Sequence, residues 1–238
     1  MDVERVTVGQ VDILAISDCT MDVDACNFFP DKSLTDMDPY RDYVDEDCNV
    51  KGGINVGAFL ISTQGRRILV DAGLGPGPWE SFGNARGNLP GEMSRRNIDL
   101  SNIDTVIVTH MHFDHIGWLV TENDGVLNRT FPKAQLLIPK ADWDLLLSSE
   151  EVKSPPAPNH FSTDAVTLFA DSSVLCKNIG RMGNFELVSG EHNVTDEITI
   201  VPTPGHTPGH QSVLITSAGQ RAFVMGDVAH LPMQLHVP

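Results

Sequence analysis

The stretch "DTVIVTHMHFDHIGW", residues 104–118, constrains the fold of this chain more than any other. An apolar, β-branched run leads into three histidines and an aspartate within six positions: His110, His112, Asp114 and His115. A short apolar run of this kind suits a buried strand. On an extended segment, side chains two apart point the same way, so one ion can take both His110 and His112. Imidazole nitrogen and carboxylate oxygen are ligands for zinc and similar divalent ions. Asp114 and His115 are adjacent and project differently unless the chain turns sharply. A turn after the strand aims them at a second ion beside the first. A lone histidine is more often a satisfied polar group than a ligand, but four candidate ligands in six positions read as two half-sites.

The two half-sites need further ligands from elsewhere in the chain. "PTPGHTPGH" supplies His206 and His210, and "VMGDVAH" supplies Asp227 and His230. Both segments stand at the ends of strand-like runs, where loops carry function. Asp227 follows the buried-looking run "RAFVM", and Gly226 lets the backbone approach closely. A carboxylate placed there can bridge two cations.

A chain of 238 residues makes one large domain or two small ones. No apolar stretch approaches the roughly 18–20 residues of a membrane span. The start, "MDVERVTVGQVDILAIS", lacks a basic n-region and a continuous apolar h-region, so a soluble, cytoplasmic protein without a membrane partner is expected. Net charge is -16, and residues 1–47 hold 13 acidic against 3 basic side chains. Such a surface repels phosphate backbones, which argues against nucleic acid as a partner. Cys19, Cys26, Cys48 and Cys176 show no CxxC or CxH pattern. They are expected as free thiols in a reducing compartment. The sequons at Asn128 and Asn193 are expected to be accidental.

Early strands are expected at "VERVTV" and "VDILAIS", followed by an acidic, irregular stretch over residues 18–52. "NVGAFLIST" and "RRILVDAG", split by "QG", read as a hairpin whose second strand ends at Asp71. "GLGPGPWESFGNARGN" reads as a plain loop, because it lacks the lysine of a phosphate cradle and the spacing of a dinucleotide fingerprint. "MSRRNIDLSNI" suggests a short helix before "DTVIVT". "AQLLIP" is a strand, "KADWDLLLSS" a helix, residues 150–161 a proline-rich insertion, and "TDAVTLFADSSVL" another helix. "FELVS", "EITIVPT", "QSVLITS" and "RAFVMGD" are further strands. Such an order suggests layered sheets flanked by helices.

"VDAG" ending at Gly73, "THMHFDH" at 109–115, "TPGHTPGH" at 203–210 and "GD" at 226–227 together resemble the metallo-β-lactamase-fold hydrolases, in matching order and spacing across almost the whole chain. "GAFLI", "TPGHTPGHQS" and "GDVAH" look most like the branch of quorum-quenching lactonases and methyl-parathion-hydrolase-like enzymes. The resemblance implies an α+β fold, a four-layer αββα sandwich with metals at one edge of the two sheets. It implies two divalent metal ions, zinc first among manganese, iron and cobalt. His110, His112 and His206 would hold the first ion, Asp114 and His115 would help hold the second, and Asp227 would bridge both. Asp71 matches an aspartate that supports the site without binding metal. His210 matches a motif histidine that is usually no ligand.

Two departures from the family stand out. Its second ion normally takes one more histidine, far downstream of the bridging aspartate, and this sequence ends at Pro238. His230 and His236 lie too close to match that ligand. The expectation is a single domain over 1–238 that lacks its C-terminal strand and helix, so the second half is incomplete. In addition, the lactonases have a tyrosine three residues after the bridging aspartate. Here His230 stands in that place, either to hydrogen-bond a substrate carbonyl or to cap a strand.

The implied activity is a metal-dependent hydrolase that opens lactones or cleaves related esters with a metal-bound hydroxide, so no nucleophilic serine or cysteine is required. Asp114, Asp227 and His230 are its catalytic candidates, with Asp114 assisting proton transfer to the leaving alkoxide. The expected partner is a small-molecule ester or lactone, and a homodimer is a further option. The alternatives are a thioester hydrolase resembling glyoxalase II, which shares HxHxDH, and a non-catalytic remnant with an incomplete metal site.

Overall fold

The computed structural model describes residues 4–28, 34–80, 84–148 and 165–235. The chain opens on an antiparallel hairpin, β1 (Arg5–Val8) and β2 (Val11–Met21), turning at Gly9 with φ +60°. β3 (Ile54–Thr63) and β4 (Arg66–Val70) form a second hairpin. Its two-residue turn, Gln64–Gly65, has positive φ at both positions, the backbone twist that matches paired strands. Then come α1 (Leu89–Arg95), β5 (Thr105–Ile107), α2 (Phe113–Ile116), β6 (Val120–Asn123), β7 (Val126–Arg129) and β8 (Gln135–Pro139). α3 (Lys140–Ser148), α4 (Ala165–Met182), β9 (Phe185–Val188), β10 (His192–Asn193), β11 (Ile198–Pro202), β12 (Gln211–Ser217) and β13 (Gln220–Val224) complete the order.

Seven strands form a mixed sheet in the order β1-β2-β3-β4-β5-β8-β9, with β4, β5, β8 and β9 parallel. Strands covered on both faces need continuous apolar runs. Ile68, Leu69 and Val70 of β4 and Leu136, Leu137 and Ile138 of β8 meet that need and are all buried. The smaller sheet, β10-β11-β12-β13, is antiparallel. Between the sheets lies one core, in which Val11, Ile61, Ile68, Val70 and Ile107 meet Ile198, Ile200, Val213 and Ile215. The other face of the large sheet packs on helices through Leu89 and Met93 of α1, Trp143 and Leu146 of α3, and Cys176 and Ile179 of α4. Each of these leucine, isoleucine and methionine side chains contributes about 1.5–3 kcal/mol by leaving water. The α+β class is that expected from the sequence. Three layers, helices, large sheet and small sheet, are found among the described residues.

Some local expectations differ. α1 begins at Leu89, ahead of the expected start, because Pro90 suits a helix's first turn. β6 and β7 form an unforeseen hairpin about Asp124–Gly125, both at positive φ. The proline-rich residues 150–161 lie outside the described residues. The acidic stretch continues β2 to Met21 and then makes short 3₁₀ turns at Ala25–Phe28 and Leu34–Tyr40.

The cysteine expectation is corrected: Cys26 and Cys48 form a disulfide, and only Cys19 and Cys176 are free. The isolated bridge Asp24↔Asn49 and the hydrogen bond from Ala25 N–H to the Cys48 carbonyl (2.7 Å) bring the two ends together. The reducing-compartment argument loses its basis with this bond. Among the described residues no helix is long and apolar enough to cross a membrane.

Candidate metal centre

β4 and β5 run in parallel and end side by side, and their exits build the site. At Asp71 the chain turns with φ +63°. The Asp71 carboxylate accepts hydrogen bonds from the Thr109 N–H (2.7 Å) and the Thr109 hydroxyl (2.8 Å). The Thr109 carbonyl in turn accepts the Gln211 N–H (2.9 Å), and the Gln211 side-chain amide donates to the Val108 carbonyl (2.8 Å). The two sheets are thereby joined where the histidines emerge.

His110 is fully buried, with Nε2 at 3.0 Å from His112 Nδ1. His206 Nε2 also stands 3.0 Å from His112 Nδ1 and 3.2 Å from Asp227 Oδ2. His110 Nε2 lies 3.7 Å from the same Asp227 oxygen. One donor atom from each of His110, His112, His206 and Asp227 falls within 4.8 Å of the other three. Burial, and then the neighbouring imidazoles, drive His110 well below the ordinary histidine range and His112 down to about 3. Neutral imidazoles keep their lone pairs, which is the ligand form.

α2 supplies the sharp turn that the sequence required. Phe113 and Ile116 go into the core, while Asp114 and His115 face the site. His115 Nε2 stands 3.3 Å from Asp227 Oδ1 and 3.8 Å from Asp114 Oδ2, and its Nδ1 is 2.9 Å from Asp71 Oδ2. Burial opposes a charge on His115, but Asp227, Asp114 and Asp71 around it prevail and raise its pKa well above the usual range. Burial likewise works against the Asp227 carboxylate; the His115 charge and the bonds from His115, His206 and His230 hold it well below its usual value. Burial raises Asp114.

All six sequence-derived ligand candidates therefore meet in one place, in two groups that share Asp227. His210 stands behind them. Its Nε2 accepts the Asp227 N–H (3.0 Å), and its Nδ1 faces the Thr203 carbonyl (3.1 Å) and hydroxyl (2.8 Å). Gly226 has φ +59°, and a Cβ there would lie 2.7 Å from His210 Nε2. His230 Nε2 is 3.0 Å from Asp227 Oδ2, and the His230 N–H donates to Gln234 Oε1 (2.7 Å). His236 lies outside the described residues. Two further buried carboxylates, Asp18 and Asp142, carry no motif: Asp142 accepts donors from both ligand-bearing segments, and Asp18 from Leu74, Leu89 and Trp118.

Residues 52–122 match the metallo-beta-lactamase superfamily domain. An N-acyl homoserine lactonase from Bacillus sp is 24% identical over 67% of this chain and 58% of its own length. The chain thus spans about three-fifths of that curated relative. The solved structure of AidC, a dizinc quorum-quenching lactonase in complex with a product, superimposes with a TM-score of 0.73 at 18% identity, over 92% of this chain and 72% of AidC. The hydrolase AbOPH, of the beta lactamase superfamily, gives a TM-score of 0.74 at 21% identity over 95% and 74%. At these identities the likeness to solved structures is one of fold.

Proposed function

We propose that this metallo-beta-lactamase superfamily domain carries the metal centre of a hydrolase that uses water to open lactone rings or cleave related esters. The observation that carries the reading is the division of the Asp227 carboxylate, Oδ2 toward His206 and Oδ1 toward His115. The donor set fits divalent ions: the imidazoles of His110, His112 and His206 converge with the Asp227 carboxylate. His110, His112, His206 and Asp227 would hold one ion, and Asp114, His115 and Asp227 a second, zinc being the expected metal. When bound, such ions make water nucleophilic near neutral pH and polarise a carbonyl oxygen.

The chain's own groups supply the rest. Asp71 fixes the His115 ring through Nδ1, which leaves Nε2 facing the centre. Asp114, beside His115, is the candidate to pass a proton to a departing alkoxide. His230 Nε2 contacts Asp227 Oδ2, and on release from that carboxylate it would be the candidate donor to a substrate carbonyl. The lactonase relative favours an acyl homoserine lactone as the substrate class.

Metal analysis combined with a panel of lactones, aryl esters, organophosphates and thioesters tests the reading. Two ions per chain with lactone or ester turnover is the expected result. Thioester turnover alone would favour a glyoxalase-like activity, and a chain that takes up no divalent ion would overturn the proposal.

A further inference from the structure

Asp142 is only 2% exposed, in the first turn of α3. An aspartate there usually serves the N–H groups of its own helix. The hydrogen bonds that this carboxylate accepts come instead from two other segments. Oδ2 accepts the Met111 N–H (3.1 Å) and the Thr207 hydroxyl (2.8 Å), and Oδ1 accepts the Gly209 N–H (2.6 Å). Met111 sits between His110 and His112, Thr207 follows His206, and Gly209 precedes His210. One buried carboxylate therefore fastens the strand exit that carries two candidate ligands to the loop that carries the third. The approach is close: a Cβ on Gly209 would lie 2.7 Å from both Asp142 N and Oδ1.

We propose that Asp142 is a positioning residue of the metal centre, setting the distance of His206 from His110 and His112; the inference rests on the cluster being a metal site. His206 reaches the cluster from a loop between β11 and β12, whereas His110 and His112 leave β5. The Asp142 carboxylate bonds to both segments at positions next to the ligands. Three donors need an acceptor with lone pairs on both oxygens, which a carboxylate supplies and an amide does not. In Asp142→Asn, an NH2 group must face either the Gly209 N–H or the Met111 and Thr207 donors. The loops then separate, and the His206–His112 spacing of 3.0 Å is lost.

The test measures zinc affinity by chelator competition, together with melting temperature without metal. Asp142→Asn is expected to weaken zinc binding about 10- to 100-fold, the range for loss of a partner that orients a ligand. Asp18→Asn is the control. Asp18 is also buried and also accepts three hydrogen bonds, from the Leu74 and Leu89 N–H groups and the Trp118 indole. It is expected to lower the melting temperature and leave zinc affinity within about twofold. Should Asp142→Asn not fold, Thr207→Val and Thr207→Ser replace it. Val removes one hydrogen bond and is expected to cost about fivefold in affinity, while Ser restores it. Equal zinc affinity in wild type and Asp142→Asn, or in the Val and Ser variants, would overturn the proposal. Equal losses for the Asp18 and Asp142 variants would overturn it too, by reducing both to general stability. A wild-type chain that binds no zinc is a separate result, which removes the metal reading and this inference with it.

Discussion

His210 Nε2 accepts the backbone N–H of Asp227 at 3.0 Å, so a histidine outside the ligand cluster fixes the residue at its centre. Nδ1 faces the Thr203 carbonyl, which sets the tautomer with the proton on Nδ1 and the lone pair on Nε2. Burial lowers the pKa of His210 and keeps the ring neutral, as that bond requires. His210→Ala is expected to reduce metal affinity about 10- to 100-fold while the ligand set stays intact. Chelator competition on the variant checks this, and an unchanged affinity would show that Asp227 holds its place without the ring.

Asp227 is the one side chain common to both donor groups, with Oδ2 at 3.2 Å from His206 Nε2 and Oδ1 at 3.3 Å from His115 Nε2. Asp227→Ala is expected to bring the metal content below one ion per chain and to abolish hydrolysis. His112→Ala removes a ligand from one group only and is expected to spare part of the binding at Asp114 and His115. Elemental analysis after dialysis separates the two patterns. Full activity in metal-loaded Asp227→Ala protein would sink the bridging role.

Much of this site was legible because its chemistry is concentrated. HxHxDH places four donors within one strand exit and one helical turn, so the sequence spacing is nearly the spatial spacing. Asp227 was legible by its place after "RAFVM", and the Gln64–Gly65 hairpin by its turn residues. Asp142 was not, because its partners are 31, 65 and 67 positions away and its own segment reads as an ordinary helix start. Asp18 was hidden similarly. It occupies a β-bulge between Ser17 and Cys19, and a bulge re-aims a side chain without leaving a mark in composition. The disulfide was illegible because spacing alone does not tell which cysteines approach.

The disulfide closes a loop within the acidic segment, whose buried side packs against residues at the end of the site. Cys48 is buried with Ala25, Met37 and Val44 against Leu231 and Met233, just beyond His230. It closes a loop with a sequence separation of 22, which by loop-closure entropy corresponds to about 3 kcal/mol. The double variant Cys26→Ser, Cys48→Ser is expected to lose stability of that order in a urea titration. Thiol counting on the unfolded, unreduced chain gives a direct check: two reactive thiols are expected, and four would refute the bond.

The two remaining thiols are expected to be inert in the folded protein. Burial, and then the charges of Asp18 and Asp114, push the Cys19 thiol from the ordinary 9.0 up to about 11. Burial pushes Cys176 up to about 12. The thiolate is the reacting form, so a raised pKa lowers reactivity at any pH below it. At pH 8 the ionised fraction of Cys19 falls from about one in ten to about one in a thousand, roughly a 100-fold slowing of alkylation. Cys176, fully buried, should be slower still. Iodoacetamide labelling followed by mass spectrometry, with and without urea, reads the effect. Native-state labelling of Cys19 at the rate of an unstructured peptide would show that neither burial nor the neighbouring carboxylates act on it.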